Sequence, residues 1–172
     1  MNRRQSLVYL SAIAGHALFS EVVAAFARSS AAIAQAPASW QPVLVSPAQG
    51  RALEEAVEAI LPQTDTPGAR AARVHVFVDL AARDCLAPAA RQALVAGLDR
   101  LGADFPGLAP VDKQRRLEAM DKPAFAVLKD LTLLGFFTSE IGCTQALAYE
   151  AVPGAYRGCI DLKPGQKAWA TR

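Results

Sequence analysis

The stretch from Asp130 to Leu162, DLTLLGFFTSEIGCTQALAYEAVPGAYRGCIDL, constrains this chain more than any other. From Leu131 to Phe137 only Thr132 and Gly135 interrupt an apolar run. A helix that is apolar all round is buried in a core, a membrane or a partner. The run is far shorter than the roughly 20 apolar residues a membrane span requires. Lys129, Asp130 and Glu140 close it on both sides. Core and partner surface are the two destinations left. Beyond it the chain turns irregular, punctuated by Gly142, Pro153-Gly154 and Gly158.

The rest of the chain reads as helical. Alanine is abundant and β-branched residues are modest, which favours helix over sheet. Ser46-Pro47-Ala48-Gln49 is a helix start with a capping box, and Leu53, Val57, Ile60 and Leu61 form its apolar stripe. TDTPGA predicts a second start, with Thr66 as cap, Pro67 in the first turn and Asp65 at the positive end of the helix dipole. That helix runs through Val74, Phe77, Val78 and Leu80 to about Cys85. A third spans Ala87 to Leu101 and stops at Gly102; a short charged one runs from Pro110 to Met120 with Arg115 and Arg116 outward. Pro123 opens the last, which ends near Gly142. The expectation is an all-α bundle of about five helices with a long ordered C-terminal tail, to which a short strand pair could be added.

Residues 1–34 read as an export signal. Arg3-Arg4 is followed by a weakly apolar stretch from Leu7 to Ala27 and a small-x-small end at Ala32-Ile33-Ala34. The paired arginines, with Leu7 behind them, point to the twin-arginine route, which carries folded cargo. Ser6 stands where that motif usually has Phe. Residues 35–45 form an Ala- and Pro-containing linker with Trp40 pinning it to the domain, and residues 46–172 form the domain. Of 18 basic and 16 acidic residues, Arg3, Arg4, Arg28 and Glu21 lie in the signal, leaving 15 of each and no net charge. No basic patch remains to hold a phosphate backbone, so nucleic acid is not an expected partner.

The residues offer little chemistry. His16 lies in the signal and His75 is alone, so neither a Ser-His-Asp nor a Cys-His device is supported. The three cysteines form no C-x-x-C pair, and TDTPGA lacks the glycines and lysine of a phosphate loop. Glu54-Glu55, Asp65 and Arg115-Arg116 read as solvated faces and caps. Export would permit a Cys143–Cys159 disulfide across the Pro-Gly turn, with Cys85 as a free buried thiol; the alternative is three small core residues. By spacing, Leu128, Leu131, Leu134 and Ile141 serve the domain's own core. Phe136 and Phe137 continue the apolar surface towards a partner, with Tyr149 and Tyr156 as its aromatic anchors; the alternatives for the two tyrosines are packing the tail or stacking a sugar.

Two segments carry a family resemblance. LTLLGFFTSEIGCTQALAYEAVPGAYRGCIDL resembles the C-terminal signature of the gluconate 2-dehydrogenase subunit 3 family, and ILPQTDTPGARAARVHVFVDL, Ile60 to Leu80, resembles an earlier motif of it. The likeness covers about Ser46 to Leu162. Cys143 departs from it, standing where a small residue such as Ala is expected. The resemblance implies a non-catalytic small subunit that supports export and stability of a large subunit. The large subunit would carry FAD, and a multihaem cytochrome c subunit would pass electrons onward. This chain would hold no cofactor or metal, and would be periplasmic and membrane-associated through its complex. The alternatives are a stand-alone periplasmic helical ligand-binding protein, or a small enzyme using Asp79 or His75.

Overall fold

The computed structural model describes residues 40–152, 154–155, 159 and 161–170. Five α-helices run in chain order: α1 (Pro47–Ile60), α2 (Val74–Asp84), α3 (Pro88–Leu101), α4 (Pro110–Glu118) and α5 (Lys122–Phe137). A 3-10 turn, Phe105–Gly107, joins α3 to α4, and a π-turn, Gly142–Ala146, follows α5. No strand occurs among the described residues; one isolated parallel bridge pairs Ala148 with Trp169. The fold is all-α, as the sequence predicts.

Proline sets four of the five helix starts. A proline cannot supply the ladder N–H, but the first turn needs none, and the residue before it is pushed to extended backbone. Ser46, Ala87 and Ala109 accordingly have ψ 160, 148 and 154 before Pro47, Pro88 and Pro110. In α5 the proline, Pro123, is at the second position. The capping box at α1 forms in full: Ser46 Oγ accepts the Gln49 N–H at 3.3 Å, and Gln49 Oε1 accepts the Ser46 N–H at 2.7 Å. Gly102, at φ 82, stops α3.

The second helix corrects the sequence reading. Thr66 and Pro67 do not start it; α2 begins at Val74, after Arg73 in the left-handed region at φ 55. Glu58 of α1 is the reason. Its two carboxylate oxygens accept the N–H groups of Gln63 (3.0 Å) and Arg70 (2.8 Å) at the two ends of the loop, while the Thr64 and Ala69 N–H groups go to Thr66 O and Leu61 O, so these donors are satisfied without a new helix. Gly68 sits against that carboxylate with no room for a Cβ. Asp65 therefore caps nothing and accepts the Thr64 hydroxyl at 2.9 Å.

α1 touches every other helix and the 3-10 turn, while α5 packs chiefly on α3 and α2. The core gathers Leu53 and Val57 of α1, Val74 and Val78 of α2, Leu94, Leu98 and Leu101 of α3, Phe105, and Leu128 and Phe136 of α5. Two glycines set helix spacing. A Cβ on Gly97 would lie 2.8 Å from Ala124 Cβ, and one on Gly135 would lie 2.6 Å from the Phe77 ring.

The buried face of α5 is Ala124, Leu128, Thr132, Gly135 and Phe136. Leu134, expected in the core, is exposed instead, because its position lies off the stripe that Leu128 and Thr132 define. Thr132 enters the core with its hydroxyl satisfied, donating to Leu128 O at 2.7 Å. Nor does α5 reach Gly142. It ends at Phe137, where Thr138 and Ser139 donate to the last carbonyls, and Gly142 is where the returning backbone crosses the Phe136 carbonyl too closely for any Cβ.

Candidate functional site

Two places merit a functional reading: the outward end of α5 with the following tail, and the His75–Asp79 pair on α2. On α5, Leu134 and Phe137 stand one turn apart and are both exposed. Phe136, proposed alongside Phe137 as a partner contact, lies 4 % exposed in the domain's own core and stacks edge-on against Phe137 at 5.2 Å. Tyr149 is exposed, as are Val152, Leu162 and Trp169. Tyr156 lies outside the described residues, as do Arg3, Arg4 and Leu7 of the export signal.

The tail is tied back on itself. Ala148 N–H donates to Ala168 O at 2.8 Å, Ala170 N–H donates to Ala148 O at 2.7 Å, and Lys167 Nζ reaches Gln145 O. Ala170 is buried. These bonds bring the two ends of the Tyr149–Lys167 segment together.

Neither cysteine of the expected bridge is paired: Cys143 and Cys159 are both free thiols, and Cys143 Sγ donates to Phe137 O at 3.2 Å. Cys85 is also free, but it is exposed at the end of α2 instead of buried. The reading of three small core residues is therefore set aside.

On α2, the structure gives Asp79 and His75 partners that the sequence did not reveal. Asp79 is 1 % exposed, and its carboxylate accepts three successive backbone N–H groups: Val43 on Oδ2 at 2.7 Å, Leu44 and Val45 on Oδ1 at 3.1 and 3.2 Å. Charge-assisted bonds of this kind are about twice as strong as neutral ones. His75, one turn earlier, packs edge-on to Trp40 at 5.0 Å. Burial, then the positive charges of Arg73 and Arg70, lower its pKa to about 4. The imidazole is thus neutral at ordinary pH, and its Nδ1 is buried with no hydrogen-bond partner among the described residues. Trp40, the first of the described residues, thus lies against α2.

The acidic and basic pairs are engaged as well. Glu55 lies between Arg70 (2.5 Å) and Lys113 (2.6 Å), joining α1 to the loop and to α4. Arg116 grips Asp104 through both terminal nitrogens and donates to Leu101 O at 2.6 Å, holding the carboxyl of Asp104 below its ordinary range. It closes the α3–α4 joint and so is more than a solvated charge. No group of three or more His, Cys, Asp or Glu disposed to hold a metal ion occurs among the described residues. None of the described helices is long and apolar enough to cross a membrane.

The architecture so defined is an all-α domain in which buried Asp79 and Thr132 are committed to its own backbone and whose last helix carries exposed apolar side chains near its end. The family model Gluconate 2-dehydrogenase subunit 3 matches residues 47–154, and the chain belongs to that family. Membership implies a small subunit of a dehydrogenase complex, with dehydrogenase subunits as partners. The match takes in α1 to α5 and the π-turn and stops at Gly154, short of the Leu162 limit read from the sequence. No curated protein and no solved structure matches the chain.

Proposed function

We propose that this chain is a non-catalytic small subunit that exports, assembles and stabilises a larger flavoprotein dehydrogenase. Membership of the subunit 3 family over residues 47–154 is the observation that carries the reading. The large subunit supplies FAD and oxidises a sugar or sugar acid, and a multihaem cytochrome c subunit takes the electrons. The small subunit supplies a folded helical surface and, through Arg3, Arg4 and Leu7, a twin-arginine address that brings the assembled pair to the periplasm. Membrane association comes through the complex.

The surface belongs to the end of α5 and the tail. Leu134, Phe137 and Tyr149 are exposed there, and burying one such ring contributes about 2 kcal/mol before binding costs. Asp79 and His75, the two residues an enzyme reading would use, are occupied in holding the linker.

Co-expression with the large subunit tests the proposal. The double variant Arg3→Lys, Arg4→Lys should leave both subunits in the cytoplasm. The small subunit alone should bind no flavin and oxidise neither gluconate nor glucose. Turnover by the isolated chain would end the non-catalytic reading, and periplasmic delivery of the double variant would end the twin-arginine one.

A further inference from the structure

The segment Trp40–Val45 has no regular secondary structure, yet it is held from three directions. Its last three N–H groups converge on the single carboxylate of Asp79. Its Trp40 ring lies edge-on to His75, one helical turn away on the same helix. Pro42 and Trp40 also crowd Gly50 of α1: a Cβ there would lie 2.6 Å from Pro42 Cγ and 3.4 Å from the indole. Val45 is buried in the core and leads directly into the Ser46 cap.

The Asp79 and His75 contacts need α2 to be formed, and making them together with the Gly50 contact needs α2 docked against α1. Asp79 and His75 reach the segment together only at helical spacing, and Gly50 lies beside them only when the two helices pack. A side chain 34 to 36 positions away supplies the partners for three consecutive amides. A lone linker of this composition would hydrogen-bond to water.

We infer that Trp40–Val45 is a fold-dependent strap: the docked α1–α2 pair holds it, and it fixes where the N-terminal segment leaves the domain. Asp79 is its positioning residue and Trp40 its apolar anchor. The backbone at Trp40 is thereby held at a fixed place on the folded domain and released when α2 is not docked. For a leader addressed to a route for folded cargo, the strap couples the exit point of the signal to the state of the fold. This last step rests on the export reading above; the strap itself does not.

Amide hydrogen exchange on the full chain tests the strap. Asp79→Asn keeps one carbonyl oxygen but sets an NH2 or a single acceptor against donors that now share two oxygens. Exchange at Val43–Val45 should quicken at least tenfold, while amides of α3 and α5 keep their protection. Trp40→Ala should do the same and leave α1 and α2 formed. Unchanged exchange at Val43–Val45, equal loosening of α3 and α5, or failure of both variants to fold would overturn the strap, since the segment would then be inert or inseparable from the core. Fractionation tests the coupling. Folded Trp40→Ala should reach the periplasm several-fold less than the native chain, and an unchanged yield would overturn the coupling. If Arg3→Lys with Arg4→Lys is exported normally, the export reading fails, while the exchange result still decides the strap.

Discussion

The Trp40 indole meets the His75 imidazole edge-on, with ring centroids 5.0 Å apart and planes inclined at 66°. Burial, then the charges of Arg73 and Arg70, oppose a charge on that imidazole. With its folded-state pKa lowered to about 4, against about 6.5 for an exposed histidine, the unfolded chain binds the extra proton first as pH falls. Stability from this group is complete above pH 6.5 and is lost as pH drops towards 4. The loss amounts to at most about 3 kcal/mol. Denaturant unfolding between pH 4 and 7 should show this slope, and His75→Gln should remove it while leaving the slope due to carboxylates. Identical slopes for the two proteins would refute it.

Gly135 and Gly97 are predicted to resist alanine. In an exposed helix interior the change would stabilise by roughly 0.5–1 kcal/mol. Here the new methyl meets the Phe77 ring in one case and Ala124 Cβ in the other. Overpacking of this kind costs about 1–3 kcal/mol and should outweigh the helical gain. Both variants should unfold at lower denaturant than the native chain; a stabilised Gly97→Ala would show that α3 and α5 can separate without cost.

Phe136 and Phe137 adjoin in sequence and should behave oppositely. Phe136→Ala empties a core position and should destabilise by about 3–5 kcal/mol. Phe137→Ala and Tyr149→Ala remove exposed rings and should change stability by less than about 1 kcal/mol. They should nevertheless lower co-purification of the large subunit. Thermal unfolding and pull-down from the same preparations separate the two effects. Full retention of the partner by the Phe137→Ala, Tyr149→Ala double variant would place the interface elsewhere.

The oxidised form gives a fourth prediction. Cys143 and Cys159 are free thiols in the structure, and exported protein should carry them as a bridge. Closing a loop of that length is worth about 3 kcal/mol in the chain-entropy model if the bond is unstrained. Peptide mapping of periplasmic material without reductant reads it directly. Two free thiols, or a bridge to Cys85, would remove this pairing.

The sequence by itself determined where most helices begin, because proline and capping residues act locally. Ser46, Pro47 and Gln49 carry the whole start of α1 within four residues, and Pro88, Pro110 and Pro123 act on their own first turns. The all-α class and the family likeness were legible for the same reason, in short contiguous segments. Tertiary structure alone decided what depends on distant partners. Glu58 takes the amides on either side of the TDTPGA loop, with α2 starting only at Val74, and Asp79 collects amides 34 to 36 residues away. Which of Phe136, Phe137 and Leu134 faced inward followed from how α5 docks on α2 and α3, a rotation that a run of apolar residues leaves undetermined. Period and capping are properties of a few neighbouring residues. A carboxylate's partners and a helix's rotation emerge only when separate elements meet.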